Sequence, residues 1–126
     1  MIRKISRDAR GVATIEIAFA LPILLSFIYG IFQIGMIMAA TAGMQHALGE
    51  GARLATLYPS PTDAAIKTQI QNKVFGNYIG TFTVADPVST ASYKDLSATY
   101  TVTPNFLFFS GPPVTVTRSK RVYLSF

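Results

Sequence analysis

Apolar and polar positions divide this chain into three stretches of different period. From Ile17 to Met44 no residue carries a charge, and only Ser26, Tyr29, Gln33 and Thr41 offer polar side-chain atoms. A helix needs about 20 apolar residues to cross a bilayer, and this run exceeds that. It is also longer than the roughly 7 to 15 apolar residues at the centre of a secretory signal. Leu48, Ala52 and Ala55 carry the helical spacing onward until Pro59 disfavours helix at Tyr58. The pattern therefore predicts one helix over Thr14 to Leu57, roughly 65 Å long, with half in lipid and half projecting from it. Pro22 lies inside it, removes a backbone hydrogen bond, and predicts a kink.

A second, shorter helix is expected after Tyr58, with Ser60 as N-cap, Pro61 in the first helical position and Asp63 in the first turn. Ile66, Ile70 and Val74 would line its apolar face, Lys67 and Lys73 would point away, and Gly76 would end it. The period then changes from helical to alternating. In SATYTVT, Ala98, Tyr100 and Val102 share one face and Thr99, Thr101 and Thr103 the other. VTVTRSKRVYLSF alternates likewise, with Val114, Val116, Val122, Leu124 and Phe126 on one parity, and a short strand is expected around Phe82 to Ala85. Gly80, Pro87, Pro104 and the run Gly111-Pro112-Pro113 punctuate these strands as turns. The economical fold is α+β. A long N-terminal membrane-spanning helix projects into a small domain, which holds a second helix and a three- to four-stranded antiparallel sheet. The region from 58 to 126 can bury only a modest core, so the projecting half of the long helix is expected to serve as the sheet's packing partner.

Composition sharpens this picture. Half of the 126 residues are hydrophobic, as expected when one segment dissolves in lipid. The formal net charge is +5, but Arg3, Lys4, Arg7 and Arg10 against Asp8 supply +3 of it within the first ten residues, so the charge is a poor argument for nucleic acid. The same cluster, followed by no basic residue between Ile17 and His46, predicts a cytoplasmic N-terminus and a C-terminal region on the other side of the membrane. The chain has no cysteine, which removes disulfides, thiolate metal sites and thiol nucleophiles. His46 stands without a ligand cluster and reads as structural or solvated; Asp63, Asp86 and Asp95 are scattered, and no serine-histidine arrangement or phosphate-cradling glycine loop occurs. Neither an enzyme nor a cofactor or metal site is expected.

Five features could carry function. Gly35, Ala39, Gly43, Ala47, Gly51 and Ala55 recur every four residues and trace a small-residue ridge that lets helices approach closely. Glu50, flanked by Gly49 and Gly51, and Arg53 could pair with each other or dock a partner just outside the membrane. Arg118, Lys120 and Arg121 form a basic cluster suited to surface contact, or else to discouraging edge-to-edge pairing of a strand; without interleaved stacking aromatics, nucleic acid is not the expected partner. Phe106, Phe108 and Phe109 lie in an expected loop, where core packing is the first expectation and a patch for a neighbouring subunit the second.

The fifth feature is Glu16, an ionisable side chain at the threshold of the apolar helix, where it disfavours insertion. It could simply complement the helix dipole. It is, however, the fifth residue counting from Val12, after a basic leader that ends at Gly11. This arrangement resembles type IV pilin-like precursors. EIAFALPILL followed by GEGARLAT, with Glu50, Gly51, Ala52 and Arg53, is similar to the TadE-like pseudopilins of tight-adherence pilus systems. Ile17 departs from the aromatic residue common after the glutamate in that family. The resemblance implies a pilin-like fold and a leader, residues 1–11, cut by a prepilin peptidase between Gly11 and Val12. The mature helix would occupy 12–57 and a small extracytoplasmic region 58–126. It further implies a structural minor pilin of the bacterial inner membrane that reaches the extracellular side within a pilus. Its partners would be other pilin subunits, the peptidase, assembly-platform proteins, membrane lipid and further copies of itself in an oligomer or filament. Glu16 would set subunit register by meeting the Val12 amino group of a neighbour. The alternatives are an uncleaved single-pass anchored binding module and the main subunit of a pilin-like filament.

Overall fold

The computed structural model describes residues 9–124; the leader residues Arg3, Lys4, Arg7 and Asp8, and Phe126 at the end of the last expected strand, lie outside them. The first helix, α1, runs from Ala9 to Ala55 and is unbroken across Pro22. It starts five residues before the expected Thr14, since nothing between Ala9 and Thr14 stops a helix except the mild cost of Gly11. It stops two residues short of Leu57 because the chain tightens there. Thr56 N–H donates to the Arg53 carbonyl at 3.3 Å, Leu57 N–H to that of Leu54 at 3.1 Å, and the Thr56 hydroxyl also donates to the Arg53 carbonyl at 2.8 Å.

The second helix, α2, spans Asp63–Lys73 and is capped by Thr62, not Ser60. The Thr62 carbonyl accepts the first helical bond, from Ile66 N–H at 3.1 Å, and its hydroxyl accepts from Ala65 N–H at 3.2 Å, so Pro61 precedes the cap instead of opening the helix. Nor is Gly76 the residue that ends it. Val74 leaves the helix in an extended conformation, and Gly76, with φ +84, serves a close approach: a Cβ there would lie 2.9 Å from the Ala39 carbonyl carbon and oxygen.

Four strands follow: β1 (Thr81–Val84), β2 (Val88–Ser89), β3 (Tyr93–Val102) and β4 (Val114–Tyr123). β3 is central. β4 lines its full length on one side, while β1 and β2 share the other side, opposite Ala98–Thr101 and Lys94–Asp95, all antiparallel. Alternation puts Lys94, Leu96, Ala98, Tyr100 and Val102 toward the helices. They close on the projecting part of α1, through Ala40, Met44, Ala47, Leu48, Ala52 and Ala55, and on Ile66 and Ile70 of α2. The long helix is thus both the membrane-length element and the spine of the domain.

Candidate functional site

From Val12 to Tyr29, α1 stands outside the core: every residue is exposed except Ser26, which is half-buried. This sleeve of Val12, Ile15, Ile17, Phe19, Leu21, Ile23, Leu24 and their successors is the arrangement of a single-pass membrane anchor. Glu16 lies within the sleeve and is exposed. Gly11 is helical and open, with nothing within 4 Å of a Cβ built on it, so packing in the folded chain gives no reason for glycine there. Beyond Pro22, the Ser26 hydroxyl donates to the Pro22 carbonyl at 2.9 Å.

The small-residue ridge divides in two. Gly35 meets nothing within 4 Å. Ala39 presents its backbone to Gly76, and Gly43, Ala47, Gly51 and Ala55 are buried inside the subunit. A Cβ at Gly43 would lie 2.0 Å from the Phe75 carbonyl oxygen, and one at Gly51 would lie 2.4 Å from Ile70 Cγ1. These residues let α2 and the segment after it press onto α1. Glu50 and Arg53 form an exposed pair at 3.3 Å beside buried Ala52.

The basic cluster does not form one surface, because a strand sends neighbouring residues to opposite faces. Arg118 and Lys120 share the parity of Val116 and Val122, and the Lys120 ammonium reaches α1 at Gly49. Arg121 is on the other face. Its Nε and Nη2 donate to both Asp95 oxygens at 2.7 and 2.8 Å, and its guanidinium lies 4.1 Å from the centre of the Tyr93 ring. The Arg121 bonds hold the Asp95 carboxyl below the usual aspartate range and raise the guanidinium's own pKa. Asp86 pairs with Lys67 at 2.8 Å. Asp63 accepts from the buried Lys94 at 2.5 Å and from Ser89 at 2.8 Å, and these bonds, Lys94 first, lower its pKa. The three aspartates therefore act in fold-building pairs. His46 is exposed, with its ring 5.7 Å from that of Phe75.

The three phenylalanines correct the expectation of core packing. Phe108 and Phe109 are 65% and 61% exposed, and half-buried Phe106 packs on the membrane-length part of α1, with ring atoms 3.0 and 3.1 Å from where a Gly30 Cβ would stand. The loop between β3 and β4 is turned back along the helix, away from the core. Gln33 holds it there: its amide donates to the Asn105 carbonyl, and its carbonyl accepts from Asn105 N–H at 2.9 Å. Neither the clamp nor the Lys94–Asp63 pair was read from sequence. The available signal was the amide of Gln33 within a run otherwise almost free of hydrogen-bonding groups.

A family model described as TadE-like protein matches residues 11–53, which is nearly the whole of α1 from its exposed sleeve to Arg53. No curated protein and no solved structure matches the chain significantly.

Proposed function

We propose that this TadE-like chain is a structural minor pilin of a tight-adherence pilus, anchored in the bacterial inner membrane by α1 with its N-terminus cytoplasmic, and cut between Gly11 and Val12 by a prepilin peptidase. The observation that carries this reading is the bare sleeve from Val12 to Tyr29 with exposed Glu16 in its first turns, on a helix whose TadE-like match runs from residue 11 to residue 53. A plain anchor needs apolar surface only, and a carboxylate weakens it. In a bundle of such helices the carboxylate meets the α-amino group that cleavage frees at Val12 of a neighbour, and pairing relieves the cost of holding either charge in an apolar setting. Gly11 fits the same reading, since it weakens the helix by about 1 kcal/mol relative to alanine and fills no tight space. Gly35, open inside the subunit, leaves room for the backbone of a neighbouring helix.

The test is the intact mass of the protein extracted from native membranes, with and without an active prepilin peptidase. A mass corresponding to a chain that begins at Val12, present only with the active peptidase, is expected. A chain that keeps its leader in both strains would replace this reading with the uncleaved single-pass binding module.

A further inference from the structure

The tip of the β3–β4 loop exposes three consecutive large apolar side chains, Leu107, Phe108 and Phe109, and through Phe106 at Gly30 it stands at the level of the membrane-length helix. Twenty residues counted from Ile17 end at Met36 and span about 30 Å, so Gly30, where Phe106 packs, lies roughly 10 Å inside the boundary on the domain side. We propose that the loop Pro104–Gly111 is a second membrane anchor, which inserts Leu107, Phe108 and Phe109 into the domain-side leaflet beside α1. Lipid acyl chains would fill the groove between loop and helix.

Three observations point to lipid as the occupant. The stretch from Pro104 to Pro113 carries no charge, although charged residues occur on both strands that it joins. The groove, about 480 Å³ and lined by Ile23, Phe27, Gly30, Ile34, Phe106 and Phe109 among others, is continuous with the bare sleeve, and its one hydroxyl, on Ser26, is already bonded to the Pro22 carbonyl. The loop also closes much of its own backbone. Phe106 N–H donates to the Phe109 carbonyl at 2.7 Å, Phe108 N–H to that of Phe106 at 2.7 Å, and Gly111 N–H to that of Pro104 at 2.8 Å, while Gln33 serves both backbone groups of Asn105. Irregular backbone is tolerated at membrane depth when such groups are satisfied within the protein. Leu107 adopts φ +66, a conformation that costs a non-glycine residue about 1–2 kcal/mol, and it turns the tip so that three apolar side chains remain exposed. In the segment between α2 and β1, Tyr78 is 78% exposed and follows by two residues the Gly76 contact with Ala39 of α1; an aromatic ring there suits the headgroup region.

The inference rests on α1 crossing a membrane and not on cleavage or pilus assembly, so the mass measurement above does not bear on it. The chain contains no tryptophan, which makes Phe108→Trp a single reporter in the full chain reconstituted into phospholipid vesicles. The expected result is blue-shifted emission, strong quenching by lipids brominated on the acyl chain, weak quenching by aqueous iodide, and no change when the protein is diluted with lipid. Phe109→Trp should behave alike. Tyr123→Trp, at the far end of β4, should show the reverse preference. Iodide quenching of the loop reporters without bromolipid quenching overturns the proposal, because the loop is then in water. Protection that vanishes on lipid dilution overturns it as well, because a second copy of the chain, not lipid, then covers the loop.

Discussion

At the residue scale, two polar side chains have opposite prospects. The Tyr100 side chain is fully buried, and among the described residues its hydroxyl has no hydrogen-bond partner. An unsatisfied buried donor costs about 1–3 kcal/mol, and the same burial pushes the phenol's pKa up. Tyr100→Phe keeps the ring against Phe82, 4.8 Å between centroids, and removes the orphan. It should raise domain stability by about 1 kcal/mol, read as a higher thermal midpoint in detergent. Asp63 is the counter-case. Its carboxylate is 42% exposed but serves Lys94, whose side chain is 9% exposed. Since folding lowers its pKa, its contribution is present above the unfolded carboxylate value of about 4 and is lost as pH falls through the lowered native value. Asp63→Asn should cost about 1 kcal/mol at neutral pH, a modest figure because water screens the exposed carboxylate. Midpoints measured between neutral pH and pH 2 should converge for variant and parent; equal separation at both ends would show that the pair does not supply this stability.

At the element scale, α1 belongs to two environments, and its glycines mark the border. Gly43→Ala places a Cβ 2.0 Å from the Phe75 carbonyl oxygen, a backbone atom that cannot rotate aside. Overpacking of this kind costs about 1–3 kcal/mol and outweighs the roughly 1 kcal/mol of helix propensity gained. Gly35→Ala meets open space and gains propensity alone. The first variant should lower the midpoint of the detergent-solubilised subunit and the second should hold or raise it; a lowered midpoint for both would mean that α1 is held differently around Gly35. The ridge was legible in sequence because spacing by four survives any fold, but what would pack on it was not. Its domain half receives α2 and Phe75, which are distant in sequence. The β3 pattern was legible for the same local reason. β2 was not, since two residues carry no period, and neither was the cap at Thr62, which depends on where Asp63 meets Lys94 across 31 residues. The phenylalanine loop misled because hydrophobicity alone does not separate a core from a lipid-facing surface. Gln33, the residue that decides between them, makes its contact 72 residues away.

At the scale of the whole molecule, the domain leaves the first turns of its own spine uncovered, and this part of the chain carries the assembly reading. Glu16 has no role in the core: it stands more than twenty residues before Ala40, where the core begins on α1. Glu16→Leu should therefore leave the domain's thermal midpoint unchanged, and it should leave membrane insertion intact or improved, since it removes a side chain that disfavours the hydrocarbon phase. Incorporation into pili is a separate quantity. If the carboxylate meets the freed Val12 amine of a neighbour, leucine leaves that ammonium buried without a partner, at a cost of about 3–5 kcal/mol at each subunit contact. Such a loss amounts to a factor of about one hundred to a few thousand in the contact's equilibrium constant, roughly tenfold for each 1.4 kcal/mol, so the variant should be absent from sheared filaments while present in the membrane fraction. Glu16→Asp, which keeps the charge on a shorter arm, should restore part of the incorporation, whereas Glu16→Gln should restore little. Normal incorporation of Glu16→Leu would leave register to the shape of the apolar sleeve; the helix dipole offers the glutamate no other role, since α1 begins at Ala9 and carries no acidic residue in its first turn.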